Sequence, residues 1–157
     1  MSIHKTTRIP VDDRYVALVG KAVYLFAYYE WTIIWIIESL DTGFINTYSR
    51  GKPMTSGAVK KKFQEVINDP LTKFLRISQQ DLQVCCDIFN NFIDKRNALI
   101  HAHPCTDTDG MQILAYQTQP LKLLPDMKWS IGEVEQIISE LDVAACNASS
   151  ILDKIRL

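Results

Sequence analysis

Three residues beyond the middle of the chain carry side chains that can hold a phosphate group and move protons. Arg96, Asn97 and His101 lie within six positions of one another. A guanidinium keeps its charge and grips two phosphate oxygens at once, an imidazole exchanges protons near neutral pH, and an amide can orient either group. This combination suits cleavage of RNA without a metal, in which the 2′-hydroxyl attacks the adjacent phosphorus.

A single amphipathic helix is predicted to position these groups. Ser78 and Asp81 have the spacing of a capping box at a helix N-terminus. Pro104 disfavours helical backbone at the residue before it, so the helix should end near Ala102. The three chemical groups therefore lie in its last turn.

The buried face of this helix is predicted from apolar residues that recur at helical spacing: Leu82, Cys85, Cys86, Phe89, Phe92 and Ile93. The same stripe continues onto Arg96 and Ile100, while Asn97 and His101, four positions apart, share its edge. An arginine on a buried face is costly unless its charge has a partner or a function. The position of Arg96 therefore indicates a functional role.

The six residues from Arg96 to His101, RNALIH, resemble the R-x4-6-H motif of the HEPN superfamily. The rest of the chain is similar in outline, with an early helix that carries an acid, a long motif helix and a long final helix. The resemblance implies an all-α fold, a helical bundle of four or five helices that forms a single domain over residues 1–157. It also implies a metal-independent endoribonuclease of the kind found in toxin–antitoxin and phage-defence systems.

The same resemblance implies a role for each motif residue. Arg96 would bind phosphate and stabilise the transition state, His101 would act in acid–base catalysis, and Asn97 would position the reacting groups. In this family the reactive groups often come from two protomers, which implies a homodimer with the site at its interface, RNA as the partner, and neither a cofactor nor a metal. Two other functions stay open: a catalytically silent module that binds RNA, a nucleotide or a protein, and an antitoxin or adaptor that acts through helix packing.

Residues outside the motif could assist binding. The net charge of −1 argues against a protein that binds nucleic acid over its whole surface. Residues 50–76 are nevertheless basic, with seven Lys and Arg and two acids. Lys60, Lys61 and Lys62 could attract a polyanion or could form a solvated helix face. His103 could bind phosphate or be incidental, and its spacing from His101 does not match the usual pairs of zinc ligands.

The most apolar stretch, from Tyr15 to Leu40, is interrupted by Glu30. A membrane span needs about 18 or more apolar residues, and an acid inside a bilayer is costly. A central core helix is therefore predicted, with no membrane association. Glu30 could be exposed at the surface, or it could be buried as an ion-pair partner of Arg96 that supports the site.

Turn signals and periodicity predict the elements between the first helix and the motif helix. Glycine and proline predict a loop over residues 41–54. Thr55 or Ser56 can cap a helix that runs to Ile67, and a short helical or irregular link should follow over residues 71–77.

After the motif helix, the apolar runs 111–116 and 121–124 could pair as a small β-hairpin. A capping box at Ser130 and Glu133 predicts a long final helix. Three small residues on that helix could serve the protomer's own core or a dimer seam: Ala144, Ala145 and Ala148.

The four cysteines and the first residues of the chain bear on its compartment. Cys85 and Cys86 are neighbours, which does not fit an ordinary disulfide framework, so reduced thiols are predicted. Residues 1–14 hold no apolar signal segment. Both observations predict a cytoplasmic protein.

Overall fold

The structure is a computed structural model that describes residues 10–51, 53–74, 76–118 and 127–157. The described residues form five α-helices and one three-stranded antiparallel sheet. The helices are α1 (Asp13–Leu40), α2 (Phe44–Ser49), α3 (Ser56–Asn68), α4 (Gln79–Ile100) and α5 (Ile131–Arg156), and the strands are β1 (His103–Thr106), β2 (Gln112–Tyr116) and β3 (Met127–Trp129). The prediction of a mainly helical bundle with a small β element is confirmed.

Helices α1 and α5 run side by side in the same direction. Near their starts, Arg14 Nη2 lies 3.0 Å from Glu135 Oε1. Near their ends, the guanidinium carbon of Arg156 lies 5.0 Å from the centre of a Trp35 ring. This pair of long helices forms the frame on which the motif helix packs.

Helix α4 runs antiparallel to this pair. Lys95 forms an ion pair with Glu140 in the first half of α5, and the Phe89 ring packs against Phe26 and Tyr29 of α1. The C-terminal end of α4 therefore lies at the same end of the bundle as the starts of α1 and α5.

Local capping signals define where the long helices begin. Ser78 Oγ accepts a hydrogen bond from the backbone N–H of Asp81 at 3.0 Å, and Ser130 Oγ accepts one from Glu133 at 3.3 Å. Thr55 caps α3 in the same way. The three predicted helix starts are confirmed, because each cap satisfies backbone donors that have no partner within the helix.

The predicted buried face of α4 is confirmed except at its end. The six apolar residues from Leu82 to Ile93 are buried. Ile100 is exposed, however, and Leu99 is buried in its place. The reason lies in the tertiary packing, since Trp129 and the sheet cover the Leu99 side of the last turn.

The three alanines of α5 belong to the protomer's own core. Ala144, Ala145 and Ala148 are all buried within the single chain. Of the two predicted roles the structure shows the first, because these side chains are already covered within one chain.

The expected loop over residues 41–54 contains the short helix α2, which sequence analysis missed. The Glu38 carboxylate accepts hydrogen bonds from the backbone N–H groups of Gly43 at 2.9 Å and Ile45 at 2.7 Å. Gly43 has a φ of 102°, a conformation that glycine adopts without strain. A carboxylate from α1 therefore starts α2, and it stands too far from α2 in sequence to be recognised as a cap.

These hydrogen bonds make stability depend on pH. The backbone N–H groups of Ile45 and Gly43 lower the pKa of Glu38. A carboxyl group with a lowered pKa in the folded state stabilises the fold above its unfolded pKa, and this contribution is lost as pH falls through the folded pKa. We therefore expect Glu38→Gln to lower the melting temperature at pH 7, and the gap from wild type to close in acid. Thermal unfolding measured across pH tests this prediction. Glu65→Gln is the control, because Glu65 is an exposed residue of α3. A difference in melting temperature between Glu38→Gln and wild type that is the same at every pH would contradict the prediction.

The sheet directly follows the motif helix. Strand β1 pairs antiparallel with β2, where Pro104 faces Leu114 and Cys105 faces Ile113. Strand β2 lies within the predicted run 111–116, whereas β1 was not predicted from the sequence. The predicted partner run 121–124 lies outside the described residues. Within the described residues, no helix is long and apolar enough to cross a membrane.

Candidate functional site

The motif residues lie at the C-terminal end of α4, as predicted. The helix ends at Ile100, and His101 is its C-cap, whose backbone N–H donates to the Asn97 carbonyl at 3.0 Å. Ala102 closes one further turn onto Leu99. Because Pro104 cannot continue a helix, the chain passes at once into β1.

Arg96 and Asn97 form the one direct side-chain contact of the motif. Arg96 Nη1 donates to Asn97 Oδ1 at 3.0 Å. The guanidinium carbon lies 5.6 Å from the centre of the Phe26 ring of α1, which is a cation–π distance. Both motif residues are half-buried. The guanidinium has five N–H donors, and within the described residues its one hydrogen bond is to Asn97, which leaves donors for an anion.

The two histidines both follow the end of α4, His101 as its C-cap and His103 as the first residue of β1. His101 and His103 are both exposed, and His103 is in β1 opposite Ala115. Within the described part of the chain, the His101 imidazole makes no hydrogen bond or ion pair. The structure therefore brings Arg96 and Asn97 into contact, and it leaves His101 open to solvent in the next turn.

A hydrogen-bonded chain that sequence analysis missed supports the last turn of α4. Trp129 Nε1 donates to the Ala98 carbonyl at 3.1 Å. The Tyr15 hydroxyl donates to the Trp129 carbonyl at 2.6 Å and accepts from the backbone N–H of Leu114 at 2.9 Å. The only sequence signal was a pair of aromatic residues with polar atoms, which need partners when buried.

Trp129 should stabilise the turn that carries the motif. Trp129→Phe keeps an aromatic ring but removes the N–H donor and part of a fully buried side chain, so it should cost about 1–3 kcal/mol. Because the lost bond ends on Ala98, amide exchange at His101 and Ala102 should accelerate. Denaturant unfolding and hydrogen exchange measure both effects. Trp35→Phe, at the other end of α1, should leave exchange at these two amides unchanged, and equal protection in both variants would contradict the role.

Glu30 does not pair with Arg96, so the ion-pair interpretation is wrong. No ion pair within 4.0 Å joins these two residues, both of which the structure describes. One Glu30 carboxylate oxygen is buried and has no hydrogen-bond partner among the residues that the structure describes. Burial and, secondly, the charge of Glu30 raise the pKa of Tyr48, which places Glu30 near the α2 segment. Arg96 instead reaches Phe26, one turn earlier in α1.

The three lysines lie on α3, away from the motif. Lys62 Nζ is 2.6 Å from Asp41 Oδ2, and Lys61 is exposed. Burial raises the pKa of the Cys86 thiol of α4, and the charge of Lys60 opposes this, which places Lys60 near Cys86. Cys86 precedes Arg96 by ten residues, about 15 Å along a helix axis. The structure does not bring these lysines to Arg96.

The cysteines do not add a reactive group to the site. Burial raises the pKa of Cys85 to about 12 and that of Cys86 to about 11, so both remain protonated thiols. All four cysteines are free. In the ranges that the structure describes, no three His, Cys, Asp or Glu side chains come together as metal ligands would.

Comparisons with models of known protein families, with curated proteins and with solved structures found no match for this chain. The functional assignment therefore rests on the residues of the site itself.

Proposed function

We propose that this protein is a metal-independent endoribonuclease of HEPN type, with its site at the C-terminal end of α4. The observation that carries the proposal is the half-buried Arg96 guanidinium, held by Asn97 and Phe26, one turn before the exposed His101. A charged fork oriented in this way suits a phosphodiester, and an imidazole in the next turn suits proton transfer.

The reaction would break the bond between phosphorus and the 5′-oxygen of the next nucleotide. A base removes the proton of the 2′-hydroxyl, whose oxygen attacks the phosphorus, and an acid gives a proton to the departing 5′-oxygen. The products are a 2′,3′-cyclic phosphate and a 5′-hydroxyl. Arg96 would stabilise the additional negative charge on the phosphate oxygens, and Asn97 would hold the guanidinium in place.

Base and acid act on opposite sides of the phosphorus, and the motif supplies one imidazole per chain. A homodimer would supply two His101 side chains around one cleft. We therefore propose that the enzyme acts as a homodimer on RNA. Its four free cysteines support a reducing compartment, the cytoplasm.

The test is cleavage of single-stranded and structured RNA by the purified protein in the presence of EDTA. Analysis of the ends should find 2′,3′-cyclic phosphates, and substrates with 2′-deoxy or 2′-O-methyl sugars should survive because they lack the nucleophile. Cleavage that requires magnesium, or products with 5′-phosphates, would contradict the proposal.

A catalytically silent module that acts as an antitoxin or adaptor is the second candidate. It is favoured by the apolar face that α1 leaves exposed, which is a surface suited to a protein partner. Inactivity on every RNA tested, together with a stable complex with another protein, would favour this candidate.

A further inference from the structure

Helix α1 exposes an apolar face although its opposite side lies in the core. Tyr24 is 71% exposed, Tyr28 52% and Trp31 44%. Exposed apolar or small residues on the same face are Val16, Ala17, Gly20, Val23 and Ala27. We name these eight residues the α1 face. Their spacing of three and four positions places them along one side of the helix.

The α1 face is long enough to be an interface. From Val16 to Trp31 it extends about 22 Å along the helix axis. Its exposed side chains amount to an area on the order of 1,000 Å² when counted over two protomers, which is the lower bound for a specific interface. On one chain this is about 500 Å², the size of the largest apolar patch of a typical monomer, and such a patch is often a functional surface.

The distribution of large and small residues on the α1 face makes it complementary to itself. Large rings lie toward the C-terminal half of the face, at Tyr28 and Trp31, and small residues lie toward the N-terminal half, at Ala17 and Gly20. If two copies cross antiparallel about Tyr24, Tyr28 meets Gly20 and Trp31 meets Ala17. The space over Gly20 is open, since a Cβ added there would meet nothing within 4 Å.

We infer that the α1 face binds the same face of a second copy of this chain, antiparallel, about a twofold axis near Tyr24. In such an interface each pair away from the axis occurs twice, so each match of a large to a small residue is present on both sides, and Tyr24 meets its own copy at the axis. The α1 face carries no charged residue, and Lys21 lies beside it. In the proposed register Lys21 would lie beside Ala27 of the second copy and not beside the other Lys21, so the two charges would not face each other.

The α1 face does not include the motif. Arg96 covers Phe26, which is buried on the core side of α1, whereas Tyr24 is on the exposed side of the same helix. The pairing of the α1 faces therefore does not rest on the proposed ribonuclease function.

Light scattering tests the pairing without any measurement of activity. The wild type at micromolar concentration should have a mass of about 36 kDa, as a C2 dimer of the 17.9 kDa chain. Tyr24→Glu should reduce the mass to that of one chain, with helix content unchanged because this side chain is largely exposed. Val143→Glu is the matched control, because Val143 is an exposed apolar residue of α5 outside the α1 face, and it should remain a dimer.

Cross-linking tests the antiparallel register. In a Cys146→Ser background, which removes the exposed native thiol, Tyr24→Cys should form a disulfide-linked dimer, because residues on the axis approach their own copies. Val143→Cys should not. A monomeric wild type at every concentration, a dimeric Tyr24→Glu variant, or no cross-link at Tyr24→Cys would each overturn the inference. RNA cleavage by a monomeric wild type would overturn both the pairing and the proposed homodimer, and it would leave the ribonuclease activity of the motif in place.

Discussion

His101→Ala should abolish most of the RNA cleavage and leave the protein folded. One acid–base group is worth about 10²–10⁴-fold in rate, so cleavage should fall by that factor. The His101 side chain is exposed and makes no hydrogen bond or ion pair within the described residues, so its loss should not unfold α4. Initial rates on a defined RNA, measured in EDTA, would report the effect, and circular dichroism would confirm the helix content.

The sequence offers a matched control two positions away. His103 is also exposed, but it lies in β1 and outside the motif. His103→Ala should reduce the rate far less than His101→Ala does. Full activity in the His101 variant, or equal losses in both variants, would contradict the assignment of His101 to catalysis.

Arg96→Lys separates charge from geometry at the same site. Lysine keeps the positive charge but cannot form the fork or the planar stack on Phe26. Cleavage should therefore fall in this variant even where the fold remains intact.

Glu30→Met should stabilise the protein, the reverse of what an ion pair with Arg96 would predict. A buried acceptor without a hydrogen-bond partner costs about 1–3 kcal/mol, and one oxygen of Glu30 is in that position. Methionine has a similar length and no polar atom, so its substitution should raise the free energy of unfolding by part of this amount. Denaturant unfolding at neutral pH measures the change.

The control for this substitution is Glu65→Met on α3, where the glutamate is exposed. That variant should change stability by less than about 0.5 kcal/mol, as surface substitutions usually do. If Glu30→Met instead destabilises the protein by several kcal/mol, the carboxylate has a partner, and the ion pair expected from the sequence would have to be reconsidered. A double-mutant cycle with Arg96 would then measure the coupling.

The sequence determined the four longer helices and the place of the motif, because those features depend on residues close together in the chain. The caps at Ser78 and Ser130 act over three positions, and the buried stripe of α4 repeats within one helix. Pro104 likewise ended the helix by its effect on the preceding residue. These signals were sufficient to place Arg96, Asn97 and His101 in and just after one helical turn.

Only the tertiary structure decided which groups meet at that turn. Trp129 reaches Ala98 across 31 positions and Glu38 caps α2 from another helix, and neither partner has a local signal. From the sequence alone, Arg96 could contact either Glu30 or Phe26, because these two residues lie one turn apart on α1. The register between α1 and α4 places it on Phe26. That register is a property of packed side chains from distant segments, so periodicity within one helix could not fix it.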